Sequence, residues 1–154
     1  MAVALEAQVR RVVEDFGAQS VVPDAIYGVD ADIFAPCALG AVVNDATLDQ
    51  FTFDIIAGAA NNVLANSAVH GAALQDRGIL YAPDYVINAG GIVNVSVEFH
   101  DGGYDEKVAL RKIERIPQAL KELWTISKEE DVPPCFAADR LAQRILAAGK
   151  AGGR

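Results

Sequence analysis

Three short segments of the chain combine carboxamide or thiol groups with small residues, and each follows a short apolar run. They are residues 35–40 (APCALG), 58–62 (GAANN) and 83–95 (PDYVINAGGIVNV). Small residues let a ligand approach the backbone, and carboxamides offer both hydrogen-bond donors and acceptors. Such segments can bind a nucleotide or an amino acid. None of them pairs a nucleophile with a recognisable base, so covalent catalysis is not indicated.

The polar side chains of these segments also have structural interpretations. Cys37 has no activating His or acid in a familiar pattern, which favours a small residue at a strand end over a catalytic thiol. Asn61 and Asn62 fit a turn as well as a ligand site. Asn88 fits either the N-cap of a helix or a ligand site. His70 is most simply a hydrogen-bonded residue at the surface or at a helix start.

The composition argues against nucleic acids, metals and disulfides as determinants of function. The formal net charge is -8, whereas affinity for polyanions depends on Lys and Arg meeting phosphates. Cys37 and Cys135 are far apart and form no Cys-x-x-Cys pair. His70 and His100 lack the spacing of metal-binding helices. We therefore expect neither a nucleic-acid partner nor a metal site.

The hydropathy pattern predicts a cytoplasmic protein without a membrane span. A spanning helix needs about 20 apolar residues, and polar residues interrupt every apolar run earlier. Residues 79–97 come closest, but Asp84, Asn88 and Asn94 break the run. The first residues lack both the basic start and the uninterrupted apolar stretch of a secretory signal.

The elements that must position the three segments follow from the hydrophobic pattern. Short apolar runs at 31–35, 53–57 and 79–82 predict strands. Helix-like stretches at 44–51 and 66–77 separate them, the second ending at Gly78. This alternation predicts βαβ units and a parallel sheet. Since ligands bind beyond the carboxyl ends of such strands, the three segments are the candidates for a ligand site.

Further helices are predicted on both sides of this region. Residues 2–16 carry an apolar helical face that ends at Gly17. Residues 105–130 are helical by pattern, and Pro117 predicts a kink or two helices meeting there. A last helix is predicted at about 137–148, followed by a frayed glycine-rich end at 151–154.

Five sequence motifs resemble the Glu/Leu/Phe/Val dehydrogenase family, in particular its leucine, phenylalanine and valine branch. The resemblance extends from about Ala4 to about Ile145. The motifs, in chain order, are DIFAPCALG (32–40), IAGAANN (56–62), HG (70–71), YAPDYVINAGG (81–91) and AADRLA (137–142). One such motif would be a weak signal, but five in one order over most of the chain are a strong one.

The resemblance implies oxidative deamination of an L-amino acid to a 2-oxo acid and ammonia, with NAD as the hydride acceptor. It assigns Asn88 to the region where substrate and nicotinamide meet. It assigns cofactor contacts along the nicotinamide ribose to five residues: Ala35, Pro36, Cys37, Asn61 and Asn62.

Two apolar residues of the third segment indicate which amino acid is bound. If a helix opens at Gly90, Ile92 and Val95 share one face of it, and they match the family's side-chain pocket. A glutamate-specific pocket would need a polar group, because an unpaired buried charge is costly. We therefore expect leucine, valine, isoleucine or phenylalanine, which differ by only about 1–3 kcal/mol in such pockets.

Several parts of such an enzyme have no counterpart in the sequence. No Gly-x-Gly-x-x-Gly occurs, and the resemblance implies that the pyrophosphate loop precedes this chain, as do the lysine and aspartate that handle protons. No catalytic residue is therefore expected here. Lys107, Lys112 and Lys121 are interpreted as solvated helix residues.

The expected fold is α/β: the C-terminal half of a Rossmann-type doubly wound parallel sheet plus closing C-terminal helices. Residues 1–100 would form the partial dinucleotide-binding domain, and residues 101–154 would pack back on it. Such a half-sheet exposes an apolar edge strand and helix faces. We expect a chain that is inactive alone, from a homo-oligomeric enzyme in full-length form. The alternatives are a non-catalytic interaction module and a fragment of phenylalanine dehydrogenase type.

Overall fold

The computed structural model describes residues 2–99 and 101–152, and a three-stranded parallel sheet lies at its centre. Strands β1 (Ile33–Phe34), β2 (Ile55–Ile56) and β3 (Leu80–Tyr81) pair in the order β1-β2-β3. Ile33 pairs with Ile55, and Ile55 with Leu80. The parallel arrangement confirms the prediction, although each strand is only two residues long.

Seven α-helices and three short 3-10 turns complete the described part of the chain. The 3-10 turns are Pro23–Gly28, Leu48–Gln50 and Val97–Phe99. The helices are α1 (Ala2–Phe16), α2 (Ser67–Asp76), α3 (Asp84–Ile87), α4 (Gly90–Ser96), α5 (Glu106–Ile113), α6 (Arg115–Glu130) and α7 (Pro134–Gly152).

Most helix boundaries agree with the sequence pattern. The Asn66 side chain caps α2 by accepting hydrogen bonds from the backbone of Ala68 and Val69. The predicted interruption near Pro117 is confirmed, because α5 and α6 meet at Glu114, three residues earlier. Helix α7 begins before the predicted position, at Pro134. The frayed end predicted for 151–154 lies in part outside the described residues.

The helix predicted at residues 44–51 is wrong. The Asn44 side chain accepts hydrogen bonds from the backbone of Ala46 and Thr47, at 2.9 and 3.2 Å. The Thr47 hydroxyl donates to the Val42 carbonyl at 2.6 Å. These side chains compete with helical hydrogen bonds and fold the segment into turns, and only the 3-10 turn Leu48–Gln50 remains helical.

Two clusters of buried side chains hold the elements together. In the first, one face of the sheet supplies Phe34, Ile56 and Tyr81, and Phe34 stacks on Phe53 with ring centroids 5.0 Å apart. The second joins residues after the strands to α6 and α7, with Leu123 fully buried. Cys135 of α7 belongs to the first cluster, so the C-terminal helices contact both.

Apolar surface remains exposed on α1 and on the sheet. Val9, Val12 and Phe16 of α1 are exposed, Phe16 to 80%. Ile33 and Leu80, in the two outer strands, are also exposed. Among residues 2–99 and 101–152, no helix is both long and apolar enough to cross a bilayer.

Candidate functional site

The segments that follow β1 and β2 are joined by backbone hydrogen bonds. The Ala60 amide donates to the Pro36 carbonyl at 2.8 Å, and the Ala41 amide donates to the Asn62 carbonyl at 2.7 Å. The first and second segments therefore lie side by side. Parallel pairing brings their starting points to the same edge of the sheet, and these bonds continue the contact beyond the strands.

Two glycines make this close approach possible. A Cβ atom placed on Gly58 would lie 2.2 Å from the Pro36 carbonyl oxygen and 2.5 Å from the Pro36 nitrogen. A Cβ atom on Gly40 would lie 2.6 Å from the Asn61 carbonyl oxygen. In both cases the obstructing atoms belong to the backbone and cannot swing aside. The first two segments are therefore packed to a distance that only glycine permits.

The third segment is joined to the second through the carboxylate of Asp84, which is 8% exposed. Its Oδ2 accepts a hydrogen bond from the Asn62 backbone amide at 2.7 Å. Its Oδ1 accepts one from the Tyr81 hydroxyl at 2.6 Å. Asn62 has a φ of +54°, in the left-handed region that residues other than glycine seldom occupy.

The hydroxyl of Tyr81 remains protonated at this position. Burial in the first instance, and then the hydrogen bond to Asp84, raise the pKa of Tyr81 well above its ordinary value. The Tyr81 hydroxyl therefore remains a hydrogen-bond donor to the Asp84 carboxylate. The backbone of Tyr81 is held as well, because Trp124 Nε1 donates to the Tyr81 carbonyl oxygen at 3.0 Å.

Asn88 does not cap a helix N-terminus, so the structural interpretation of this residue is corrected. It is the C-terminal cap of α3, and α4 begins at Gly90 after an Ala89 cap without a side-chain bond. The Asn88 amide nitrogen instead donates to Asn61 Oδ1 at 2.5 Å and to the Ala60 carbonyl at 3.4 Å. The structure thereby brings two of the candidate carboxamides into contact.

The other candidate residues of the first two segments lie around the contact between Asn61 and Asn88. Pro36 is buried, whereas the neighbouring side chains are exposed: Ala35, Cys37, Asn61 and Asn62. Ala35, Pro36 and Cys37 also line an open depression of about 360 Å³. A more polar depression of about 320 Å³ is lined by Asn61, Asn62, Leu64, Ser67, Asp84 and Tyr85.

The two residues expected to select the substrate lie on α4. The prediction that a helix opens at Gly90 is confirmed, and Ile92 and Val95 are three positions apart on it. Both side chains are accessible, Ile92 to 75% and Val95 to 47%. They form an apolar surface that begins four residues after Asn88.

His70 has a structural role at the start of α2, although it is buried rather than on the surface. The Asn66 backbone amide donates to its Nδ1 at 2.9 Å, and Nε2 lies 3.2 Å from Asp45 Oδ1. A backbone amide can only donate, so Nδ1 accepts and Nε2 carries the proton. Within the described part of the chain, no three His, Cys, Asp or Glu side chains are grouped as metal ligands.

Asp84 and Tyr81 were not predicted from the sequence as residues of the site. One signal was present: Asp84 is the single charged residue between Ile79 and Val97, and it directly follows a strand and a proline. An acid in that position has to find hydrogen-bond donors when the strand end is buried. Its partners could not be read from the pattern, because Asn62 lies 22 positions away.

The comparison with known structures defines the class of protein. The crystal structure of L-tryptophan dehydrogenase from Nostoc punctiforme superposes with a TM-score of 0.88 at 46% identity, over 92% of this chain and 43% of that one. The described residues thus have the fold of part of an amino-acid dehydrogenase. The chain belongs to the Glutamate/Leucine/Phenylalanine/Valine dehydrogenase family, whose sequence pattern matches residues 2–153.

Two curated relatives show the same branch of the family and the limited extent of the chain. Leucine dehydrogenase of Bacillus subtilis (strain 168) is 51% identical over 138 residues, which are 90% of this chain and 37% of the relative. L-tryptophan dehydrogenase of Nostoc punctiforme is 49% identical over 128 residues, 83% of this chain and 36% of the relative. The chain therefore spans little more than a third of the proteins that it matches.

Proposed function

We propose that this chain is the nicotinamide-side part of an NAD-dependent dehydrogenase that deaminates an apolar L-amino acid to its 2-oxo acid and ammonia. A leucine dehydrogenase-like activity is the form that we favour. The observation that carries the proposal is the junction of three strand-end segments, where Asn88 is hydrogen-bonded to Asn61. Residues 1–100 then represent the second half of a Rossmann-type domain, and residues 101–154 its closing helices.

The residues at the junction suit the nicotinamide end of NAD. When bound, the cofactor supplies a hydride acceptor at C4 of its nicotinamide ring. A carboxamide-bearing ring and its ribose need both donors and acceptors, which Asn61, Asn62 and Asn88 provide. The small residues Ala35, Pro36 and Cys37 leave room for a sugar against the backbone. In this proposal the chain orients the ring, and the groups that move protons belong to the remainder of the enzyme.

An apolar amino acid is the substrate that α4 favours. Ile92 and Val95 present branched apolar side chains, which gain free energy by covering a hydrocarbon substrate. The γ-carboxylate of glutamate would be desolvated beside them without compensation. The names of the relatives are consistent with this choice, since one is a leucine and another an L-tryptophan dehydrogenase.

A chimeric enzyme tests the proposal. Residues of this chain would replace the matching 138 residues of Bacillus subtilis leucine dehydrogenase. NADH formation would be measured with L-leucine, L-valine, L-phenylalanine and L-glutamate. We expect turnover with one or more of the apolar substrates, none with glutamate, and a loss of tenfold or more, about 1.4 kcal/mol, in Asn88→Ala. A folded chimera that binds no NAD would overturn the proposal.

The exposed apolar surface favours a second candidate, a non-catalytic module that associates with complete subunits. Val9, Val12 and Phe16 on α1 provide surface of the kind found at interfaces. Co-expression with full-length leucine dehydrogenase separates the two functions. If the chain co-purifies with the full-length enzyme and the chimera forms no NADH, the result supports the non-catalytic module. An active chimera supports the catalytic role.

A further inference from the structure

Asp84 contacts both asparagine-bearing segments of the candidate site. Its side chain accepts the Asn62 amide at 2.7 Å, and its backbone carbonyl accepts the Asn88 amide at 2.9 Å. Asn61, which holds the Asn88 carboxamide, is the residue directly before Asn62. One residue therefore fixes the backbone on both sides of the carboxamide pair.

The bond to Asn62 stabilises a conformation that the chain would otherwise avoid. At a φ of +54°, Asn62 is in the left-handed region, which is unfavourable for a side-chain-bearing residue, although asparagine tolerates it better than most. A charge-assisted hydrogen bond from an amide to a carboxylate is about twice as strong as a neutral one and offsets this cost. Without it, Asn62 would be free to return to an ordinary backbone conformation and carry Asn61 with it.

Tyr81 keeps the carboxylate aimed at Asn62. Its hydroxyl donates to Oδ1 at 2.6 Å and also accepts the backbone amide of Asp84 at 3.3 Å. Within residues 2–99 and 101–152, no cation forms a salt bridge with Asp84. The buried charge is therefore stabilised by hydrogen-bond donors of the site itself, which makes its orientation depend on them.

We propose that Asp84 is a positioning residue, supported by Tyr81, that holds the Asn61–Asn88 carboxamide pair in place to receive the nicotinamide. It acts through the Asn62 backbone and does not itself contact the reacting atoms. The assignment of the nicotinamide as the ligand rests on the proposed function. The coupling between Asp84 and the carboxamide pair is a property of this chain and can be tested without any ligand.

The coupling is tested by nuclear magnetic resonance of the ¹⁵N-labelled chain. In Asp84→Ala we expect hydrogen exchange at the Asn62 amide to accelerate about tenfold or more, and the Asn88 side-chain amide signals to shift. Asp84→Asn should restore part of both, because its neutral amide can still accept from Asn62 and donate to the Tyr81 hydroxyl oxygen. Asp105→Ala is the matched control, since that carboxylate also accepts two backbone amides, but at the start of α5.

Unchanged Asn62 exchange and Asn88 signals in Asp84→Ala would overturn the proposal. If circular dichroism shows that Asp84→Ala is unfolded, Tyr81→Phe is used in its place. It removes only the hydroxyl, so the Asn88 signals should shift in the same direction, and an absence of any shift would overturn the proposal as well.

A titration with nicotinamide mononucleotide connects the coupling to function. We expect Asp84→Ala to weaken the binding of the mononucleotide about tenfold, Asp84→Asn to recover part of that loss, and Asp105→Ala to leave the binding unchanged. Equal affinity of all variants would show that Asp84 does not position the nicotinamide contacts. If the unmodified chain binds no mononucleotide, the proposed function loses its support at this site, while the amide exchange still decides the coupling.

Discussion

Replacing Gly58 by alanine should separate the first two segments of the site. The new Cβ atom would lie 2.2 Å from the Pro36 carbonyl oxygen, which also accepts the Ala60 amide at 2.8 Å. Overpacking against fixed atoms costs about 1–3 kcal/mol, and the strained hydrogen bond adds about 1 kcal/mol. Gly58→Ala should therefore lower the free energy of unfolding by about 2–4 kcal/mol.

Urea denaturation followed by circular dichroism measures this loss. With a slope of about 2 kcal/mol per molar urea, the midpoint should fall by about 1–2 M at unchanged slope. Gly90→Ala is the matched control, because nothing lies within 4 Å of its added Cβ and it begins α4. If the two variants share one midpoint, the close approach of Gly58 to Pro36 does not exist in solution and the reasoning fails.

Three further predictions concern side chains around the site. Gly71→Ala should destabilise the chain by about 1–3 kcal/mol in thermal unfolding, because the added Cβ would lie 2.6 Å from Cys135 Sγ. Adding Cys135→Ala should recover most of this loss. Burial raises the pKa of Cys135, so iodoacetamide should modify the exposed Cys37 first, and equal labelling by mass spectrometry would contradict this. Burial also raises the pKa of Tyr81 and Tyr85 above the ordinary value of 10.0, so the unfolded state releases their protons first as the pH rises. The free energy of unfolding, measured in alkaline titrations, should therefore decrease as the pH rises beyond that value.

The sequence was sufficient to predict that the three candidate segments follow the strands of a parallel sheet. Only the alternation of strands and helices was needed for this prediction, and the observed β1-β2-β3 order confirms the parallel sheet. The Ala60–Pro36 and Asn62–Asp84 hydrogen bonds then join the segments beyond the strand ends. The boundaries of α2 could also be predicted, since Asn66 and Gly78 act on their own neighbours in the chain.

The contacts between segments could not be predicted, and the errors have a common cause. At residues 44–51 the hydrophobic spacing favoured a helix, but the hydroxyl of Thr47 and the amide of Asn44 found closer backbone partners. Asn88 was compatible with a helix cap until its partner Asn61, 27 positions away, was known. Local patterns describe what a residue can do with its neighbours, whereas these outcomes depended on which distant groups the fold brought near.

The geometry of the site separates the residues that hold it together from those that can contact a ligand. Gly58 and Asp84 fix the segments through packing and buried hydrogen bonds, while Cys37 and Asn61 lie exposed beside them. Substitutions in the first group should therefore lower stability and ligand affinity together, since a displaced segment takes its exposed side chains with it. Substitutions of the exposed group should change affinity alone. A variant of Asn61 that unfolds as easily as Gly58→Ala would show that the carboxamide pair also supports the fold.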